Sequence, residues 1–334
     1  MRNPHRCIAI TDRSSVGEAR RTATGLAQAL GFDEEQRSNV GIVATEIANN
    51  VLLHANGGEV AICPFADGEG AWLDLLALDR GPGIADLPRA MEDGYSTIGT
   101  AGQGLGAIER ISDFSSVFSM PGRGTVGWSR FTKGQAEFQQ GVGVVCVPIR
   151  GETVAGDSYL VLNEGGRTIY MMVDGLGHGK GAAEAADEAV RVVGRSAGLP
   201  AAEIVSRTHD ALKKTRGAAM SVAIVDGERR LLTYAGVGNV TAMLVGAGSS
   251  RTLTPQNGTL GAVMPRQTQE YVYPVEGETT LIMFTDGLSS KVGVAGYPGI
   301  LKRPPALLAG VLYRDFSRKR DDATVMVAPL GGRD

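Results

Sequence analysis

Glu46 and Asn50 stand four residues apart in the run Glu46–Ile47–Ala48–Asn49–Asn50, on one face of a predicted helix. An Asn so placed can lend its side-chain oxygen to Mg²⁺, a hard cation that bridges nucleotide phosphates. A Glu one turn earlier can take the proton of an attacking hydroxyl. A solvated polar helix face would carry the same residues. Further on, Asp79 ends the apolar run Trp72–Leu73–Asp74–Leu75–Leu76–Ala77–Leu78 and precedes Gly81 and Gly83. A carboxylate there can accept a hydrogen bond from an adenine amino group while the glycines let a base lie against the backbone; a strand-ending turn without a ligand is the plain alternative. Gly102, Gly104 and Gly106 open another predicted helix, whose free N–H groups and dipole suit an anion. The same spacing also serves as a lid hinge.

A second acidic set follows: Gly156–Asp157, Asp174–Gly175–Leu176–Gly177–His178–Gly179, Asp286–Gly287 and Asp321–Asp322–Ala323–Thr324. Asp-Gly pairs are unremarkable in a chain with 47 glycines, and Asp67–Gly68, Asp93–Gly94 and Asp226–Gly227 read as turns. Asp174 and Asp286 differ because each directly follows an apolar strand, Ile169–Val173 and Leu281–Thr285. A carboxylate at a strand end, beside a Gly carbonyl, makes a rigid pair of hard oxygen ligands. If Asp157, Asp174, Asp286 and Asp321 converge, their mutual repulsion points to bound divalent ions, and an all-oxygen site suits Mg²⁺ or Mn²⁺ better than Zn²⁺. Two such ions can activate a water and stabilise phosphoryl oxygens during in-line displacement.

The elements that must position these residues divide the chain. Strand 6–11, helices 14–30 and 33–54, strands 58–64 and 71–79, a helix from Gly104, and strands 114–119 and 125–131 make a helix-on-sheet pattern. Polar Thr132–Gly141 reads as a linker. Strands then dominate, near 143–149, 158–163, 168–174, 219–226, 230–236, 240–246, 280–285 and 323–329, with helices near 180–196, 200–214 and 304–316. The expected organisation is α+β in two domains, 1–132 and 142–334, joined by 133–141.

Forty-three per cent apolar residues, 21% charged residues and a net charge of −3 describe a soluble globular protein; no Lys/Arg run supplies a nucleic-acid stripe. No apolar run approaches a membrane span, and scattered Cys7, Cys63 and Cys146 suggest a reduced, cytoplasmic protein.

The first set of motifs resembles the GHKL-type ATP-binding fold, and within it the serine-kinase branch of anti-sigma factors and RsbT-like stressosome switch kinases. The stretch from Asp79–Arg80–Gly81–Pro82–Gly83 through Gly94–Tyr95–Ser96–Thr97, with Gly104–Leu105–Gly106, Arg110, Asp113–Phe114 and Gly122–Arg123–Gly124–Thr125, carries the likeness over residues 5–131. The resemblance implies an α/β sandwich binding ATP or ADP with Mg²⁺. Glu46 would be the general base, Asn50 the Mg²⁺ ligand and Asp79 the adenine contact. Gly81, Gly83, Gly102, Gly104, Leu105, Gly106 and Thr125 would surround the nucleotide, and 84–103 would form its lid. Gln103 departs from the small or apolar residue usual in these kinases. His54, two turns beyond Glu46, reads as a helix-end residue before a catalytic one.

Residues 140–330 resemble the PP2C-type phosphatases of the SpoIIE and RsbX-like branch, through the acidic motifs and through Ala235–Gly236–Val237–Gly238–Asn239 and Gly258–Thr259–Leu260–Gly261. That likeness implies an αββα sandwich with two Mg²⁺ or Mn²⁺ ions held by Asp157, Asp174, the Gly175 carbonyl, Asp286 and Asp321, with Asp174 and Asp286 central to catalysis. Asp322 is the second choice within its pair, and His178 suits positioning better than proton transfer.

Together the resemblances imply a partner-switching regulator that phosphorylates and dephosphorylates Ser or Thr. Its expected partners are STAS-domain anti-sigma-factor antagonists or stressosome-like proteins, with a sigma factor or a downstream phosphatase as further candidates. Two alternatives stay open: a phosphatase with an ATP-sensing or docking domain, and a non-catalytic protein that sequesters its partner.

Overall fold

The computed structural model describes residues 5–66, 70–91, 104–134, 141–246 and 248–331. The chain forms two compact units, Met1–Val145 with Val294–Asp315, and Cys146–Gly293 with Phe316–Asp334. Of the expected linker 133–141, residues 135–140 lie outside the described residues.

The first unit holds β1 (Arg6–Ile10), α1 (Arg13–Ala29), α2 (Glu34–Ala55), β2 (Gly58–Ala66), β3 (Gly70–Asp79), α3 (Leu87–Ala90), α4 (Gly104–Ile111), β4 (Phe114–Met120) and β5 (Gly124–Gly134). Its strands form one antiparallel sheet in the order β1-β2-β3-β5-β4. Capping boxes start both long helices, Asp12 with Ser15 and Asp33 with Gln36, satisfying N–H groups that a helix start leaves open. Asn56, left-handed at φ 55°, ends α2 so that β2 can begin at Gly58.

Strand alternation divides β3 between two faces. Leu73, Leu75 and Ala77 join Val43, Ala44, Ile47, Ala48 and Val51 of α2 in one core. On the opposite face Asp74, Leu76 and Leu78 stand across from Arg130, Trp128 and Val126 of β5. That face is covered as well, because α7 (Pro305–Phe316) brings Gly310 against Leu76, Leu78 and Val126. A Cβ on Gly310 would lie 3.1–3.2 Å from all three side chains, so the helix lies close against the sheet at this point.

The same face carries a buried ion pair. Arg130 donates from Nε and Nη2 to Asp74 at 2.6 and 2.8 Å, and its guanidinium lies over the rings of Trp72 and Trp128. Removing one partner strands a buried charge, so Asp74→Ala should cost the first unit about 3–5 kcal/mol. Asp74→Leu combined with Arg130→Met should recover most of that loss. Trp72 and Trp128 are the only tryptophans in the chain, so fluorescence-detected urea unfolding reads this unit selectively.

The second unit is built from β6 (Gly143–Val147), where the boundary falls, β7 (Asp157–Glu164), β8 (Arg167–Gly175), α5 (Lys180–Arg195), α6 (Ala201–Leu212), β9 (Ala218–Asp226), β10 (Leu231–Val237), β11 (Thr241–Gly246), β12 (Ser249–Leu253), β13 (Tyr271–Pro274), β14 (Thr280–Phe284) and β15 (Ala323–Pro329). These make two five-stranded sheets, β13-β10-β9-β8-β7 and β12-β11-β14-β15-β6. Ile169, Met171 and Val173 of β8 and alternate residues of β9 pack on the Ala-rich face of α5 and on Ala201, Ile204, Val205 and Leu212 of α6. The intervening residues, ending in Asp174, therefore face away from those helices.

Candidate functional site

In the first unit, Glu46 and Asn50 are both half-buried on α2, whose apolar stripe fixes it to the sheet. Gly104, the first residue of α4, lies beside Asn50: a Cβ there would sit 3.3 Å from the Asn50 Oδ1. The helix start and the amide therefore meet, with Leu105 packed toward the core and Gly106 buried. Asp79 is buried at the end of β3, and its Oδ1 accepts from the N–H groups of Gly81 at 2.8 Å and Thr125 at 3.1 Å. Thr125 also brings its hydroxyl within 2.8 Å of the Ser119 hydroxyl. Gly83, at φ 74°, lies so near Met120 that a Cβ would come within 2.2 Å of its carbonyl, and Gly124 lies equally close to the Asp79 carbonyl. The glycines are required here by packing of the chain on itself, and the oriented Asp79 carboxylate is the group at this turn that suits an adenine amino group. Gly102 and Gln103, with the rest of 92–103, lie outside the described residues. His54 is exposed in the last turn of α2.

In the second unit, Asp157 and Asp174 stand directly opposite each other on β7 and β8. Like charges in directly opposed cross-strand positions destabilise a sheet, so the pairing calls for a compensating charge. Asp286 follows β14 and Asp322 precedes β15 at the same end of that antiparallel pair. Thr285 and Thr324 link the two strands there, and the Thr285 hydroxyl donates to Asp157 at 2.7 Å. Gly287 passes so near the Asp322 carbonyl that a Cβ would lie 1.8 Å from it. Gly175 N donates to Gly156 O at 3.2 Å, closing the Asp174 turn onto the Asp157 turn.

The electrostatics record the same convergence. Burial, then the charges of Asp157, Asp286, Asp321 and Asp322, push Asp174 up to about 9. Burial pushes Asp157 up to about 7, with further upward contributions from Asp322 and Asp321. Asp286 is raised by burial and by Asp321, and Asp322 by burial and by Asp321. Yet among the described residues no three His, Cys, Asp or Glu side chains close into a finished metal cage. Asp322 accepts from the N–H of Ile149 and Gly156 at 2.7 and 2.5 Å, Asp157 from Thr285, and Asp286 from the Asn239 amide at 2.6 Å. The donor set, all carboxylate with a Gly carbonyl beside it, fits hard divalent cations.

A pH dependence follows. A carboxyl whose folded pKa lies above its unfolded value of ~3.9 keeps its proton longer in the folded state. The folded state is then favoured at low pH and loses stability as pH rises through about 7 and about 9 for Asp157 and Asp174. In chelator, the melting temperature of the second unit should fall across this window. Saturating Mn²⁺, which binds the deprotonated form, should flatten the profile.

Three details escaped the motif reading. Asn239 belongs to a recognised motif, but its bond to Asp286 depends on the turn at Gly238, φ 99°. Asp322 is the buried member of its pair and is bound to two backbone N–H groups, while Asp321 is exposed. His178 Nδ1 lies 2.8 Å from Glu152, on the exposed turn before α5.

Fold and sites together define a two-domain α+β protein, a histidine-kinase-like ATPase domain followed by a PP2C-like phosphatase domain. Residues 10–126 match the family model described as histidine kinase-like ATPase domain, and residues 164–330 match that of stage II sporulation protein E (SpoIIE). The serine/threonine-protein kinase RsbT of Bacillus subtilis (strain 168) is 35% identical over 123 residues, 37% of this chain and 92% of the kinase. The phosphoserine phosphatase RsbX of the same organism is 31% identical over 183 residues, 54% of this chain and 89% of the phosphatase. A chain solved in work on the bacterial stressosome as a modular system adapted to secondary-messenger signalling is 27% identical, with a TM-score of 0.53 over 56% of this chain and 97% of that one. The chain thus belongs to the SpoIIE phosphatase family and joins to it an RsbT-like domain of the histidine-kinase-like ATPase family. No helix among the described residues is long and apolar enough to cross a membrane.

Proposed function

We propose that this protein is a bifunctional partner-switching regulator. Its first unit transfers phosphate from ATP to a Ser or Thr of a STAS-domain protein, and its second unit hydrolyses the phosphoester. The observation that carries the phosphatase half is the juxtaposition of Asp157 and Asp174 across β7 and β8, joined by Asp286 and the Asp321–Asp322 pair. Asp157, Asp174, the Gly175 carbonyl, Asp286 and Asp321 hold the cations in this reading. When bound, Mg²⁺ or Mn²⁺ activates water and offsets the charge of the phosphoryl oxygens. Thr285 and Asn239 orient Asp157 and Asp286 for that task.

The kinase half rests on Glu46, Asn50, the oriented Asp79 and the α4 start beside Asn50. Glu46 accepts the proton of the substrate hydroxyl as its oxygen attacks the γ-phosphorus and the bond to the β–γ bridging oxygen breaks, leaving ADP. Asn50 supplies a ligand to the nucleotide's Mg²⁺, and the N–H groups at the start of α4 face the phosphates.

Incubation of the full chain with γ-labelled ATP, Mg²⁺ and a STAS-domain protein should show label rising on Ser or Thr and then leaving as inorganic phosphate. Failure of both transfer and release overturns the reading. A phosphatase rate that responds to nucleotide without any transfer selects the ATP-sensing alternative. A stoichiometric complex indifferent to both sites selects sequestration.

A further inference from the structure

The segment Val294–Asp315 packs within the first unit, although it lies inside the 164–330 match to the phosphatase family. Ten successive residues of α7, Pro305–Arg314, are buried. The segment grips the adenine-side motif from two directions. Arg314 is 5% exposed; its Nη1 donates to the Asp79 carbonyl at 3.0 Å, while Nε and Nη2 hold the Asp315 carboxylate at 2.9 and 2.7 Å. Arg80 donates to the Arg314 carbonyl and lies 3.8 Å from Asp315, which also accepts from the Tyr297 hydroxyl at 2.8 Å. Across the motif, Arg123 donates to the Gly296 carbonyl at 2.9 Å and stacks over Tyr297.

The covalent path from this segment leads straight to the acidic cluster at both ends. Asp286 lies eight residues before Val294, and Asp321 lies six residues after Asp315. Where the chain leaves α7, it is strapped to the Asp286 turn: Phe316 O accepts from Ser289 N at 2.9 Å, Ser317 bridges to Leu288, and Arg318 N donates to Gly287 O at 2.8 Å. Arg314, at the nucleotide motif, thus stands seven residues before Asp321 along the chain.

We propose that Arg314, from the phosphatase portion of the sequence, is a positioning residue for the nucleotide site, and that nucleotide occupancy at Asp79 and divalent-cation occupancy at Asp286 and Asp321 bias each other through α7. The inference rests on the functional reading above. It also gives that reading what two opposed activities in one chain require, a means by which bound nucleotide sets the state of the phosphatase site. Coupling of this kind is reciprocal, so either ligand can report it.

The test is calorimetric titration of ADP into the full chain at saturating Mg²⁺, for wild type and Asp157→Asn, with cation uptake counted by equilibrium dialysis. Asp157→Asn weakens cation binding in the second unit without touching α7. The ADP dissociation constant should differ between the two proteins by about 5- to 150-fold. The difference should vanish in Arg80→Ala, a change at an exposed side chain, and in Arg314→Lys, which keeps the charge and loses the fork; both should bind ADP more weakly. Equal ADP affinity in wild type and Asp157→Asn overturns the coupling. Unchanged ADP affinity in Arg80→Ala and Arg314→Lys overturns the positioning role. No ADP uptake by folded wild type, or no second-unit cation uptake, overturns instead the reading on which both depend.

Discussion

Asp174→Asn should abolish phosphate release from a prelabelled substrate, by more than about 100-fold. Loss of an outer partner of a metal ligand already costs about 10- to 100-fold in affinity or activity, and a ligand itself costs more. Asp174 is the place to make the change because the other four aspartates all act on it. The same substitution should leave phosphate transfer to the substrate intact, so that labelled partner accumulates. A second readout separates a functional carboxylate from a structural one. In chelator above about pH 9, where both Asp157 and Asp174 are ionised, Asp174→Asn removes one member of a like-charged cross-strand pair and should stabilise the second unit by about 0.2–1 kcal/mol. A residue held for the fold would do the reverse. Undiminished phosphate release, with undiminished cation uptake, would remove the metal-cluster reading.

Much of this was legible from the amino acids because the chemistry sits at element ends. Asp174 and Asp286 follow apolar runs that become β8 and β14, and Asp79 follows the run that becomes β3. Asp33 suits an N-cap at the start of α2, and the helix expected from it carries Glu46 and Asn50 on one face. The edge strands β12 and β13 were not legible. Their residues are almost all exposed, so no alternation of apolar and polar side chains announces them. The company kept by α7 was hidden for a different reason. Its apolar residues ask only to be buried, and periodicity does not say against which sheet; the contact of Gly310 with Leu76 and Val126 spans more than half the chain. Asn239 shows the same limit in the site, since its role depends on a bond to a residue 47 positions away.

The two constellations also differ in how they meet their own charges. The members of the acidic cluster raise one another's pKa values, and in the proposed reading a cation relieves them. The nucleotide motif spends its carboxylate locally, with Asp79 Oδ1 already taking two backbone N–H groups. The first is therefore sensitive to metal and pH, and the second to the geometry of the segments that hold its turn. This asymmetry predicts that chelation silences dephosphorylation through charge, whereas the kinase half is better silenced by a single side chain.

Glu46→Ala is that change. Glu46 is half-buried on a helix fixed by Val43, Ala44, Ile47, Ala48 and Val51, so its loss should not move α2. Removing a positioned general base lowers the rate by about 10²- to 10⁴-fold, and label transfer to a STAS-domain protein should fall by that much. ADP affinity should stay within about threefold, because Glu46 addresses the attacking hydroxyl and not the nucleotide. Asn50→Ala should do the opposite in part, weakening the Mg²⁺-nucleotide complex before any chemistry. Glu46→Gln refines the assignment: it keeps the shape and a hydrogen bond but cannot take a proton. If Gln restores transfer, Glu46 orients the hydroxyl without accepting its proton; if Gln is as inactive as Ala, proton acceptance is its task. Equal labelling by wild type, Glu46→Ala and Glu46→Gln would show that phosphate transfer does not pass through this helix at all, and would leave the first unit as a nucleotide-binding regulator of the second.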